Sequence, residues 1–207
     1  MEISILDYGV GNLNSIKNSL KHLNIKNRFI NTKKQIKNSH SIILPGVGTF
    51  YHAMKNIKEK DLYDSLITHI KIKKKPVLGI CLGMQLLFSE SNEVTHQNGL
   101  NILKGKIKKI NFIKKKNIHD LNVGWQKIQL KKKNILFNQI PNNENFYFLH
   151  SYAAYDLNKK NQLINDLKKI SLPQIHSKSF KSRSFALKNF NYQSISSQYN
   201  KIFKKII

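Results

Sequence analysis

The chain has 207 residues, with 36 Lys+Arg against 11 Asp+Glu for a formal net charge of +25, and 40% of it is hydrophobic. That apolar share suits one packed core, argues against a disordered polycation and predicts a single domain over 1–207. One cysteine, Cys81, excludes an intramolecular disulfide framework and a thiolate zinc site, and neither a metal nor a cofactor is expected.

The first apolar run, Ile3 to Leu6, has Glu2 ahead of it and Asp7 behind it, with no basic segment or long apolar core, so no secretory signal is expected. No stretch reaches the roughly 18 apolar residues of a membrane span, and a cytoplasmic, reducing setting without membrane contact is the expectation. Ile3 to Leu6 reads as a strand buried on both faces, turning through Asp7-Tyr8-Gly9-Val10-Gly11-Asn12 into a helix with Ile16, Leu20 and Leu23 on one side. Ile25 to Ile30 predicts a second strand and Ser41 to Leu44 a third, ending in Pro45-Gly46-Val47-Gly48. Ala53, Met54 and Ile57 predict a helix, and Leu62, Leu66, Ile67 and Ile70 a further apolar stripe. Pro76 to Ile80 predicts a strand that runs straight into helix-forming residues from Cys81 to Phe88. Strands alternating with helices imply an α/β fold with a parallel sheet and crossover helices on both faces.

From about Leu103 the pattern changes to short alternating segments around Ile107, Ile110, Phe112, Val123, Trp125, Ile128 and Leu130, with a compact strand at Phe146 to Leu149. A mixed or antiparallel extension of the sheet is expected there. Beyond about residue 157 the chain diverges in character: no Asp or Glu follows Asp166, and Ser and Lys alternate from His176 to Ser182.

The excess charge is almost all lysine, with Arg28 and Arg183 as the two arginines, in runs such as Lys73-Lys74-Lys75 and Lys131-Lys132-Lys133. Nucleic-acid surfaces favour arginine forks, and here Asn and Ile are abundant alongside Lys. The lysines therefore read as drift of a solvated surface in an AT-rich coding sequence, and no nucleic-acid partner is expected.

Gly79 and Gly83 flank Cys81 at −2 and +2 where a predicted strand meets a predicted helix. A sharp turn at that junction lifts a nucleophile clear of the sheet, leaves first-turn N–H groups to bind an oxyanion, and tolerates small neighbours. Gly79-Ile80-Cys81-Leu82-Gly83-Met84-Gln85 resembles the nucleophile motif of the class I (triad) glutamine amidotransferases. Together with Leu6-Asp7-Tyr8-Gly9-Val10-Gly11-Asn12-Leu13, Pro45-Gly46-Val47-Gly48, Val123-Gly124-Trp125 and Tyr147-Phe148-Leu149-His150-Ser151-Tyr152, it is similar to the glutaminase subunits of imidazole glycerol phosphate synthase.

The resemblance implies a flavodoxin-like fold and a reaction in which Cys81 attacks the glutamine amide to form a thioester, in histidine biosynthesis. It implies an oxyanion hole from the N–H groups of Leu82 and Gly48, and substrate contacts from Gln85, Glu93, Ser151 and Tyr152. It also implies a heterodimer with a (β/α)8-barrel cyclase subunit that receives the ammonia, with Asn12, Asn14 and Trp125 at the contact. The sequence departs from that family at its end, where the His-Pro-Glu that supplies the triad base and its orienting acid is missing. His176, in Gln174-Ile175-His176-Ser177-Lys178, echoes the motif with a lysine where the acid belongs. A shifted reading frame suits the abrupt change of composition; a weak glutaminase using His176, or a silent docking and regulatory subunit, are the alternatives.

Overall fold

The computed structural model describes residues 2–110, 121–130 and 140–155. Four parallel strands, β1 (Ile3–Leu6), β2 (Asn27–Ile30), β3 (Ser41–Leu44) and β4 (Val77–Gly79), form a sheet in the order β2-β1-β3-β4. β1 and β3 are buried at every residue, which is why both read as unbroken apolar runs instead of alternating ones. The pleat still divides their side chains. Ile3, Ile5 and Ile43 pack with Leu20 of α1 (Leu13–His22) on one face. Leu6, Ile30, Ile42, Leu44 and Val77 pack on the other against Ile36 of α2 (Lys33–Asn38), Ala53, Met54 and Ile57 of α3 (Phe50–Glu59) and Leu66 of α4 (Tyr63–Ile67). The expected strand-and-helix alternation thus produces three layers.

Two elements differ from the sequence reading. Helix α2 carries little apolar periodicity, but it is set by a capping box in which the Thr32 side chain accepts from the Gln35 N–H and Gln35 reaches back to the Thr32 N–H. After Cys81 the regular helix α5 is a single turn, Leu82–Gln85, and the bonds that follow, Leu87 N to Met84 O at 3.1 Å and Phe88 N to Gln85 O at 3.0 Å, are tighter i to i−3 links.

The second half brings the expected mixed and antiparallel pairing, which among the described residues forms sheets distinct from the parallel one. β5 (Glu90–Ser91), β6 (Gln97–Asn98), β7 (Lys106–Lys109) and β10 (Tyr152–Tyr155) make a mixed sheet in the order β10-β7-β5-β6. β8 (Asn122–Lys127) and β9 (Asn145–His150) pair antiparallel as a separate ribbon. Among the described residues no helix is long and apolar enough to cross a membrane. Phe112, His176 and the tail after Tyr155 lie outside the described residues.

Residues Thr68–Ile72 continue α4 as a π-helical turn, and this turn buries His69 near the Pro76 and Ile36 backbone, without a well-formed hydrogen bond at either ring nitrogen among the described residues. Burial, reinforced by the Lys75 ammonium, pushes the imidazole pKa down to about 4 from its ordinary 6.5. The unfolded chain therefore binds a proton on this group before the folded one does, so its contribution to stability is complete above pH 6.5 and is lost as pH falls towards 4. Urea midpoints of the unaltered protein should fall over that window, and His69→Phe should flatten that part of the profile.

Candidate active site

The site is built where β3 and β4 end side by side. Leu44 pairs with Gly79, and the Leu44 carbonyl accepts from the Ile80 N–H at 2.9 Å, one bond past the ladder. The chain then reverses at Cys81, whose backbone sits at φ +52° and ψ −117°, a conformation that costs a side-chain-bearing residue of order 1–3 kcal/mol. The turn is held from below by bonds from Gly83 N to Ile80 O at 3.0 Å and from Met84 N to Cys81 O at 3.0 Å. Its result is an exposed Cys81 next to buried Leu82 and Gly83.

The flanking glycines are explained by space. A methyl on Gly79 would lie 2.5 Å from the Met84 Cα, and one on Gly83 would lie 1.9 Å from the Leu44 carbonyl oxygen and 2.8 Å from that of Pro45. At Gly83 the turn meets the end of β3 backbone to backbone.

The first-turn N–H of Leu82, next to Cys81, and the N–H of Gly48, on the segment after β3, have no hydrogen-bond partner among the described residues. Gly48 is exposed, takes φ +91° and has nothing within 4 Å of its missing side chain, so its peptide has room to turn. With α5 only one turn long, anion stabilisation here rests on such discrete donors more than on a helix dipole.

The expected substrate residues are joined in a chain of contacts. Gln85, nearly buried in α5, donates through Nε2 to the Tyr152 carbonyl at 3.1 Å. The Tyr152 hydroxyl donates to the Glu93 carbonyl at 3.4 Å. The Glu93 carboxylate in turn accepts from the Phe50 N–H at 2.6 Å, at the start of α3, two residues past Gly48. One Glu93 oxygen is thus engaged with the backbone, and the other makes no hydrogen bond among the described residues. Ser151 joins the same region through its carbonyl, which accepts from Ile110 N at 2.8 Å.

Two groups that sequence reasoning passed over belong to this frame. Tyr8 is fully buried and its hydroxyl donates to the Pro45 carbonyl at 2.6 Å. His150 makes contacts at both ring nitrogens: Nδ1 with the Tyr152 carbonyl at 2.9 Å and Nε2 with Asn122 Nδ2 at 2.9 Å. A carbonyl only accepts, so Nδ1 carries the proton and Nε2 accepts from the amide, which leaves this histidine no free lone pair. The tyrosine stands inside the Asp7-Tyr8-Gly9 turn, whereas nothing local marks the histidine.

The expected interface residues lie apart from this chain of contacts. Asn12 and Asn14 are exposed, and Asn12 caps α1 by accepting from Ser15 N at 3.2 Å. Trp125 packs edge-on against Tyr147 across the ribbon, centroids 5.5 Å apart. No group of three or more His, Cys, Asp or Glu able to hold a metal occurs among the described residues.

Comparison with known proteins follows the same lines. The family model for class-I glutamine amidotransferases matches residues 4–185. "Imidazole glycerol phosphate synthase subunit HisH" from Leptospira interrogans is 42% identical over 151 residues, covering 72% of this chain and 74% of that protein. The protein of the same name from Bacillus mycoides (strain KBAB4) is 41% identical over 152 residues, covering 73% and 70%. Among solved structures, one described as a glutamine amidotransferase superposes with a TM-score of 0.57 at 16% identity, over 76% of this chain and 75% of that one. A chain of PurLQS from Thermotoga maritima superposes with 0.52 at 16% identity, over 75% and 70%. At these identities the structural likeness speaks for the fold.

The geometry separates two glycines by substitution. Gly83→Ala meets backbone on both sides and should cost roughly 3 kcal/mol or more, whereas Gly48→Ala meets open space and should cost about 1–2 kcal/mol from its positive φ. Denaturant unfolding of the two variants beside the unaltered protein checks the order.

Proposed function

The chain belongs to the class-I glutamine amidotransferase family, and from that premise we propose that it is the glutaminase subunit of an imidazole glycerol phosphate synthase. The observation that carries the proposal is the strained, exposed Cys81 on an elbow whose neighbouring N–H groups are unpaired among the described residues. In this reading the Cys81 sulfur bonds to the side-chain amide carbon of glutamine, and the carbonyl electron pair moves onto oxygen, where Leu82 and Gly48 donate to it. Collapse of the intermediate breaks the C–N bond, a general acid protonates the leaving nitrogen, and ammonia departs. Water then cleaves the thioester to give glutamate and restore the thiol.

Gln85, Tyr152 and Glu93 form the wall beside the elbow, and the free Glu93 oxygen suits the substrate's α-ammonium group. Both nitrogens of His150 are engaged, which supports a different histidine as the base. The sequence offers His176, outside the described residues, for that part.

The ammonia would pass to a (β/α)8-barrel cyclase in a heterodimer, with glutamine as substrate and the cytoplasm as setting. The ribbon supports a docked partner: Val123, Trp125, Tyr147 and Leu149 alternate onto one face, and each is about half exposed or more.

Glutamate release, measured with the cyclase and its ligand present, tests the assignment. Cys81→Ala should lower the rate by about a thousandfold or more. No release from the unaltered chain would overturn the glutaminase reading and leave a silent docking subunit. Trp125→Ala should weaken cyclase binding by about thirtyfold, the equivalent of roughly 2 kcal/mol, as read by calorimetric titration.

A further inference from the structure

We propose that the Tyr8 hydroxyl is a positioning group for the oxyanion hole: by donating to the Pro45 carbonyl it fixes the Pro45–Gly46 peptide, the base from which the Gly48 N–H turns towards the reacting oxygen. The inference rests on the glutaminase reading and adds to it a residue that touches no substrate.

Tyr8 follows β1 and lies in the main core beside Leu6, Leu44, Phe50 and Leu82, where a phenylalanine would fill the space without bringing a hydroxyl that needs a partner. That hydroxyl reaches across 37 residues of sequence to a single carbonyl at 2.6 Å. The carbonyl belongs to the first residue after β3, in the segment that leads to Gly48. Since a peptide unit is planar, fixing the Pro45 oxygen also fixes the direction of the Gly46 N–H.

The other contacts converge on the same peptide. A side chain on Gly46 would lie 2.9 Å from the Tyr8 oxygen and 2.8 Å from the Gly83 nitrogen, so this residue is held between the tyrosine and the nucleophile turn. The Pro45 oxygen also faces Gly83 from the other side. Just beyond, the constraint ends, and Gly48 has open space around it. The segment is therefore anchored at one end by Tyr8 and at the other by the Glu93 carboxylate on Phe50 N, with the turning peptide between the two anchors.

The hydroxyl also keeps its proton. Burial, and then the field of Cys81, raise its pKa above the ordinary tyrosine range, so it remains a donor at any pH where the thiol reacts.

The test reads attack by sulfur without requiring turnover. The glutamine-like chloroketone 2-amino-4-oxo-5-chloropentanoate alkylates such a thiol: the sulfur bonds to the chloromethyl carbon, chloride leaves with the bonding pair, and the thiol proton goes to solvent. During attack the ketone oxygen occupies the oxyanion position. Labelling of the full chain is followed by intact mass spectrometry for the unaltered protein, Tyr8→Phe and Ser39→Ala. Ser39 precedes β3, and its hydroxyl is hydrogen-bonded to the Ser4 hydroxyl at 2.8 Å and the Gln35 carbonyl at 2.7 Å, so its loss is a destabilising control away from the site.

Tyr8→Phe should lower the limiting labelling rate about tenfold, with half-saturation unchanged within about twofold. Iodoacetamide labelling, which has no need of the oxyanion hole, should keep its rate, and Ser39→Ala should label like the unaltered protein. An unchanged chloroketone rate in Tyr8→Phe overturns the inference. So does a parallel loss with both reagents, or the same loss in Ser39→Ala, because either marks a general loosening of the fold. Absence of chloroketone labelling in the unaltered protein, with iodoacetamide still reacting, overturns the glutaminase reading and this inference with it.

Discussion

Much of the described architecture depends on one close approach, that of the Gly83 backbone to the carbonyls of Leu44 and Pro45. Parallel pairing of β3 with β4 brings the two strand ends together, but pairing alone would allow the chain after β4 to leave in many directions. The missing side chain at Gly83 lets the turn fold back onto β3, and the bond from Ile80 N to Leu44 O fixes where the reversal begins. Cys81 then has no relaxed conformation available. Its positive φ is imposed by packing on both sides, and the energy comes from the core under it, where Leu44, Phe50, Leu82 and Leu86 are buried. A loop without such support would relax, and its thiol would turn aside.

The same approach ties the chemistry of the turn to distant parts of the chain. Gln85 follows the turn directly, so its bond to the Tyr152 carbonyl links α5 to the strand β10. His150 donates to that same carbonyl and holds the end of the ribbon through Asn122. Tyr152 passes the contact on to Glu93, and Glu93 to the start of α3. These polar groups are therefore mostly held by one another and by backbone, as partly buried hydrogen-bonding groups must be. Those without a hydrogen-bond partner among the described residues are the N–H groups of Leu82 and Gly48 and the second oxygen of Glu93.

How much of this was readable from the residues follows from which forces leave a local trace. Strands β1 and β3 were legible because burial on both faces writes an unbroken apolar run, and the elbow because steric crowding writes paired glycines. Helix α2 was missed because one capping box, not a face of apolar side chains, marks it, although Thr32 and Gln35 stood in the sequence to be read. The mixed and antiparallel character of the second half was legible as short alternating segments, but its division into a sheet and a ribbon was not, since alternation reports one buried face and not the strand it pairs with. Within the site, Cys81 announced itself through its neighbours. The bond of Tyr8 to Pro45 spans 37 residues and has no local spacing to reveal it.

The net charge of +25 also looks different once acids are located instead of counted. Of the 11, Glu93 is bound into the frame of the site, Glu90 bridges to Lys106 at 2.7 Å, and Glu2 to Arg28 at 3.1 Å. The thiol's own described surroundings hold no comparable charge pair, and the residues that shape it are glycines, amides, a buried phenol and backbone. Drift of the surface towards lysine therefore leaves the elbow untouched, because nothing in its geometry rests on a surface charge. What such drift does bear on is the base. An imidazolium is stabilised by a nearby acid and opposed by a nearby ammonium, and in sequence His176 is followed by Lys178, with no Asp or Glu anywhere after Asp166. The elbow is thus built from residues that such drift does not touch, whereas the acid that would orient a base is not supplied by the residues after Asp166.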